Sequence, residues 1–434
     1  MSYPNDHGAV LPRSQLDRVL DEDAFIWATG IEDTFITEPW PKTGRILDEY
    51  ELTGHYDRWK ADIDLIAGLG LRMARYGIPW HRIQPEPGVW NWEHADQPID
   101  HLLARGIDPM LDLVHYGLPR WIDGAYGNPD FPALMAEYAA RCAERYRGRV
   151  RWWTPLNEPR VTAWYCGKLG WWPPALRGWG GFVRVMLGVC RGICLSSQAI
   201  RAADPENVLC HVDATDLYVA ADASLAGEAE HRQHIVFLAL DLVSGRIIPG
   251  HPLHAWLLGH GATASDLEWF VAHRCDLDVV GINLYPLFSR KVLSHSSHGL
   301  RMRMPYAPPT IVDELADLYH QRYQRPVMIT ETASEGSVRR RRDWLDGSVA
   351  ACARVRARGV PLIGYTWWPL FALVTWAYRQ GERPPEDYLK QMGLWDLDRD
   401  LERIATPLVD AYRDLASGGV AAVGPLARLL TVER

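Results

Sequence analysis

The sequence predicts an α/β chain folded as a single (β/α)8 barrel of the TIM type, and three observations carry that prediction. Short apolar runs of strand length alternate with longer periodic segments, the rhythm of parallel strands joined by helical crossovers. Eight such runs occur, at 24–29, 71–78, 108–115, 149–156, 208–212, 278–285, 326–331 and 361–367. No internal repeat, low-complexity linker or composition break divides the 434 residues. One barrel with extended loops therefore spans 1–434, with the segments at about 1–22 and 418–434 peripheral to it.

Taken in order, the first strand at 24–29 is followed by a helix at 55–69, which carries Trp59, Ile63, Ile66 and Ala67 on one face. The second strand, 71–78, runs into the turn-rich PEPGVWNW. Helix 96–105 leads to the third strand. Helix 132–146, with Pro132 in its first turn, leads to the fourth. Helices at 183–203, 228–242, 310–323 and 342–358 separate the remaining strands.

Composition narrows the partners. Hydrophobic residues make up 47% of the chain, enough for a large core. The formal charge of -8 supplies no basic face for nucleic acid and fits a small-molecule partner. Twenty tryptophans and 18 tyrosines suit either a large core or the faces of sugar rings. Seven scattered cysteines, with Cys190 and Cys194 four apart on a helix face, read as buried thiols of a reducing compartment. The start MSYPNDHGAV lacks a signal-peptide layout. The apolar stretch 182–195, broken by Arg184 and Arg191, is expected not to span a membrane. The expectation is a cytoplasmic protein.

Other polar clusters are expected to be inert. His231 and His234, near Glu230, are assigned to the solvated face of a helix, and no metal site is expected there. His295 and His298 fall in a polar loop, and Arg339–Arg342 reads as a solvated helix start. There is no Walker loop and no GxGxxG after a strand, so no cofactor is expected.

Barrel chemistry sits where strands end. The fourth strand ends WWTPLNEPR and the seventh PVMITETAS, so Glu158 and Glu331 each close a buried run. A charge there is costly unless paired or used. Strands four and seven face each other across a barrel mouth. Glycoside cleavage needs such a pair, one acid for the leaving oxygen and one carboxylate opposite.

These motifs resemble those of family 1 glycoside hydrolases. TPLNEP is similar to T-x-N-E-P and ITET to I-T-E-N-G. The segments ARYGIPWHRIQPEPGVWN, LDLVHYGLPRWI, VGINLYP and GYTWWPLFALVTWA follow in the same order as the family's others. The resemblance covers about 25–395. It implies a retaining β-glycosidase in which Glu158 is the acid/base and Glu331 the nucleophile. It further implies that Arg75 lies beneath the nucleophile, Tyr285 within its hydrogen-bond reach and His115 at the third strand end. Asn157 would contact the sugar 2-hydroxyl, and Trp368, Thr375 and Trp376 would line the substrate pocket.

The resemblance fails in two informative places. Where the family has D-N-x-E-W, this chain has Ala372, Leu373, Val374, Thr375 and Trp376. Thr375 replaces the glutamate that receives the 4- and 6-hydroxyls. The first strand lacks the family's glutamine and has only Glu32 and Asp33 nearby. Losing such acceptors costs roughly 1.5–3 kcal/mol per hydrogen bond to a charged group. The expectation is a site apolar at Ala372 and Leu373 that prefers a deoxy sugar, a pentose or a modified glycone. Transfer to an alcohol, or a barrel repurposed for sugar binding, are the alternatives. Trp164, Trp171, Trp172 and Trp179 form either an aglycone platform or loop packing.

Overall fold

Eight parallel strands, each a run of buried residues, close on themselves in the computed structural model, which describes residues 14–21 and 23–427. They are β1 (Ile26–Gly30), β2 (Met73–Gly77), β3 (Asp108–Asp112), β4 (Trp152–Thr154), β5 (Val208–Ala214), β6 (Val279–Asn283), β7 (Val327–Thr332) and β8 (Leu362–Trp367). Strand β1 pairs with β8 from Ile26↔Gly364 to Thr29↔Trp367 and with β2 at Gly30↔Arg75, which completes the ring. All eight expected runs are strands. Outside them stand α1 (Ser14–Asp21), α2 (His55–Gly68), α3 (Glu93–Ala104), α4 (Phe131–Arg145), α5 (Gly178–Ala203), α6 (Ala226–Val243), α7 (Ile311–Tyr323), α8 (Val338–Ala357) and α9 (Pro407–Gly418).

The two-residue period of a strand explains how one barrel holds both a core and a site. Ala28, Met73, Met110, Trp152, Cys210, Val279, Met328 and Ile363 form the apolar cluster of the lower interior. Two residues beyond Met73 and Met110 stand Arg75 and Asp112, turned to the same inner face one layer higher. The segments expected at the periphery are tied in, as far as they are described. Leu16 of α1 joins the lower cluster, and Trp27 Nε1 donates to the carbonyl of Gly419 at 3.0 Å.

Helix α5 is long and apolar enough to cross a membrane, so Arg184 and Arg191 do not exclude that by themselves. Burial of 67% of its apolar window marks it as a core helix. It packs on α4 so closely that a Cβ at Gly192 would lie 2.8 Å from Met135 Sδ. All seven cysteines are free and buried, and burial pushes the Cys210 thiol up to about 12, which leaves it unreactive.

Two surface expectations need correction. The segment with His295 and His298 is an antiparallel hairpin, Arg290–Ser296 with Gly299–Arg303, and His295 Nε2 meets Ser224 Oγ at 3.0 Å. Within Arg339–Arg342, Arg341 is buried and donates to the Gly393 carbonyl at 2.7 Å. A helix start that carries one inward residue per turn cannot be solvated all round.

Candidate active site

Both strand-end glutamates face the same buried mouth. Glu158 sits at φ 45°, ψ 65°, in the left-handed region, immediately before the short helix Pro159–Thr162. A non-glycine residue held there is a strained position of the kind functional sites retain. Asn283 Nδ2 donates to Glu158 Oε1 at 2.9 Å, and the Tyr116 hydroxyl donates to Oε2. Tyr116 is itself left-handed, at φ 65°.

Glu331 lies within β7 and is only 4% exposed. Its Oε1 accepts from Arg75 Nη1 and its Oε2 from the Tyr285 hydroxyl at 2.8 Å. Burial pushes Glu331 up to about 8, against the pull of the Arg75 guanidinium, and the charge of Glu158 adds to the rise. The two carboxylates therefore differ in environment: Glu331 is gripped by a cation, and Glu158 by an amide and a phenol.

Arg75 organises the floor. Besides Glu331 it donates through Nη2 to Asp112 Oδ2 and, at 2.7 Å, to Asn157 Oδ1. Its guanidinium also stands 4.9 Å from the centre of the Trp368 ring. A buried cation is tolerable only with such pairing. His115 Nδ1 lies 2.6 Å from Asp33 Oδ1 and 3.1 Å from Asp112 Oδ2. Burial alone would depress His115, but the two carboxylates hold it well above its ordinary range. Burial pushes Asp33 up to about 6, with His115 opposing.

Asp33, Asp112 and His115 bring ligand-type atoms within 4.8 Å of one another, close enough to suit a metal. Arg75 and His115 already pair with those carboxylates, so we read the group as an ion-pair network. The backbone leaves room for it. A Cβ at Gly77 would fall 1.6 Å from Asp33 Oδ2, and one at Gly30 would fall 2.2 Å from the Trp368 ring.

The β1–β8 side of the mouth departs from expectation. Ala372 is fully buried in the core, so it cannot supply an apolar pocket wall. Leu373 is committed to the short pair Leu373–Val374 with Leu389–Lys390. Thr375 is half-buried, and its backbone N–H bonds the Tyr388 carbonyl. A polar group stands here after all. Glu32 is 6% exposed, accepts from Trp368 Nε1 at 3.1 Å and from Thr34 Oγ1, and holds an oxygen 4.0 Å from His115 Nε2. Behind it, the fully buried Glu49 accepts from the Val374 N–H, and burial holds its carboxyl well above the usual range.

Tyr116, Asn283, Asp112, Asp33 and Glu32 thus join the expected residues. Asn283 was discoverable, because it lies two residues along the inner face from Gly281 in VGIN, and Thr330 Oγ1 donates to its Oδ1 at 2.7 Å. Glu32 was discoverable as an acid just beyond a barrel strand.

The expected tryptophan platform divides in two. Trp172 is buried against Tyr165 (4.5 Å between ring centres) and Trp376 (4.9 Å), and Trp376 meets Tyr116 at 5.5 Å. This group stands beside Glu158 through Tyr116. Trp171 is largely exposed at its rim. Trp164 and Trp179 turn elsewhere and meet each other at 5.8 Å, with Trp179 5.2 Å from Trp256.

Comparison with known proteins adds an independent line. Residues 28–189 match the family model of glycosyl hydrolase family 1. Beta-glucosidase A of Thermotoga maritima is 37% identical over 129 residues, which are 28% of this chain and 29% of that protein. Coniferin beta-glucosidase of Pinus contorta is 35% identical over 141 residues, 30% of this chain and 28% of its own length. The chain thus matches less than a third of the length of these two curated relatives. The solved family 1 β-glucosidase of Thermotoga maritima superposes over 91% of this chain and 98% of its own, with a TM-score of 0.79 at 22% identity. A complex of the Thermotoga maritima β-glucosidase with a methoxycarbonyl-substituted glucoimidazole gives 0.80. At that identity the likeness is one of fold.

Proposed function

We propose that this barrel, whose residues 28–189 match the model of glycosyl hydrolase family 1, is a retaining β-glycosidase acting on a small-molecule glycoside by double displacement. The observation that carries the reading is the pair of buried carboxylates in unlike settings, Glu331 under Arg75 and Tyr285, Glu158 under Asn283 and Tyr116. In the first step a Glu331 oxygen attacks the anomeric carbon while Glu158 gives its proton to the departing glycosidic oxygen. The C1–O bond breaks and a glycosyl ester forms. Glu158, now a carboxylate, takes a proton from incoming water, whose oxygen displaces Glu331 and regenerates both groups.

Arg75 and Tyr285 hold Glu331 in place for attack and receive its charge again on release. Asn157, fixed by Arg75, is set for the sugar 2-hydroxyl, a contact that strengthens as positive charge develops at C1. The chemistry runs on the chain's own carboxylates.

On the glycone, the reading is a sugar other than an unmodified hexose: a deoxy sugar, a pentose or a modified ring. Its support is Thr375, a neutral side chain in place of a carboxylate. Glu32, beside His115 and Trp368, is the acceptor we assign to the remaining hydroxyls on that side. A second reading, transfer to an alcohol, draws on the aromatic group of Trp172, Trp376 and Tyr165 beside the acid/base, which would favour an apolar acceptor over water.

A panel of aryl β-glycosides, including 6-deoxy sugars and pentosides, tests this on the wild type and on Glu331→Ala. Turnover that is lost in the variant is expected. Absence of turnover on every member by the wild type would reject the glycosidase and favour a sugar-binding barrel. Product analysis with added alcohols separates hydrolysis from transfer.

A further inference from the structure

A cavity of about 260 Å³ lies outside the catalytic mouth, between the segment that follows Glu158 and helices α5 and α6. None of Glu158, Glu331, Arg75, His115 or Trp368 lines it. The partition is a π-helical turn, Ala163–Leu169, a rare form that tends to mark functional positions. Of its adjacent rings, Tyr165 joins Trp172 and Trp376 beside the mouth, whereas Trp164 joins Trp179 and lines the cavity.

The walls combine flat apolar faces with hydrogen-bonding heads. Trp164, Trp179 and Trp256 line it and are all half-buried, so each leaves part of a ring uncovered. Arg160, Glu228, His231 and Arg232 supply the polar part. Their charges are already balanced: Arg160 pairs with Asp216 at 2.9 Å and Arg232 with Glu228 at 2.7 Å. A cavity so neutralised favours an uncharged ligand over an anion or a cation. Capacity for hydrogen bonds remains. Arg160 Nε is buried without a partner, and His231 makes no hydrogen bond among the described residues, its ring standing 5.9 Å from Trp256.

An uncharged ligand that offers both a flat apolar face and outward hydroxyls is a sugar ring. The volume lies just below the range of about 300–1,000 Å³ for drug-sized sites and so suits one ring. We propose that this cavity is an accessory site for a single pyranose unit. The ring lies against Trp256 and the part of Trp179 left open by Lys168, whose Nζ stands 3.8 Å from the Trp179 ring centre, and its hydroxyls meet Arg160, His231 and Glu228. His231, expected on the solvated face of its helix, is half-buried and lines this cavity. This site stands independently of catalysis, so its test does not require turnover.

The test follows the indole N–H resonances of Trp164, Trp179, Trp256 and Trp368, assigned by single Trp→Phe variants, in a Glu158→Gln/Glu331→Gln protein. Methyl β-D-glucopyranoside, methyl β-D-xylopyranoside and cellobiose are the probes, at millimolar concentration. At least one probe is expected to move Trp179 and Trp256, and His231→Ala to weaken that response by about tenfold with the Trp368 response unchanged. Cellobiose moving Trp256 and Trp368 with one common affinity would overturn the accessory site and make the cavity part of the catalytic cleft. A methyl glycoside moving Trp256 with its own affinity would identify a free sugar. Trp179 and Trp256 unmoved by all three probes would overturn the site, as would equal responses in the His231→Ala protein.

Discussion

The two sides of the barrel mouth are built on different terms. On the side of β2, β4, β6 and β7, Arg75, Asn157, Glu158, Asn283 and Glu331 hold one another through a continuous hydrogen-bond chain. Most of these residues lie within strands, where register fixes their direction. On the side of β1 and β8, Glu32, Asp33 and Thr375 lie just past strand ends, on backbone that the ladder does not constrain. On the glycosidase reading, the reacting centre is thus tied to the architecture, and the recognition side is free to be rebuilt. This is how one barrel serves several substrates.

That division predicts a hierarchy. The largest loss is expected from Glu331→Gln, a fall in kcat of more than about 10⁴-fold, since removing a nucleophile leaves only binding and positioning. Pre-steady-state trapping with a 2-deoxy-2-fluoro glycoside should label the wild type at Glu331. Label on any other residue would dissolve the division.

Next, Arg75→Met should cost about 3–5 kcal/mol of stability, because it leaves the buried Asp112 and Glu331 without their shared cation. Denaturant unfolding reads this directly. A shift below about 1 kcal/mol would mean that the floor is not held by that charge.

Glu32→Gln should lower kcat/KM by about tenfold to a hundredfold, the worth of one hydrogen bond to a charged acceptor. The loss should fall on glycosides bearing the contacted hydroxyls and spare those lacking them. A uniform loss across all substrates would transfer Glu32 to the reacting side.

The mildest test uses pH. Glu331 must be ionised to attack, and its folded value is raised to about 8, above the ordinary carboxylate range. On the glycosidase reading, raising the pH through that value fills the nucleophilic form, so the acid limb of kcat/KM should lie near neutral pH instead of near pH 5. An acid limb near pH 4 would show that Arg75 outweighs burial.

How much of this could be read from sequence follows the same line. The eight strands were legible because buried parallel strands are short apolar runs, and a glutamate ending such a run has few inert explanations. Residues whose role depends on which way a loop turns were not. Ala372 and Leu373 were expected to line the pocket from their offset along the chain, yet the segment carries Ala372 into the core. Glu32 was visible as an acid, but nothing in its neighbours fixed its side chain under Trp368.

The lower end of the barrel has a consequence for timing. Leu16 and the layer of methionines and Trp152 stopper it, so traffic to Glu331 runs through the upper mouth. On the double-displacement reading, the departing alcohol and the arriving water share that doorway. The second half-reaction must then queue behind the exit of the first product. A bulky aglycone that lingers among Trp172 and Trp376 would therefore set the pace of turnover without touching the anomeric carbon.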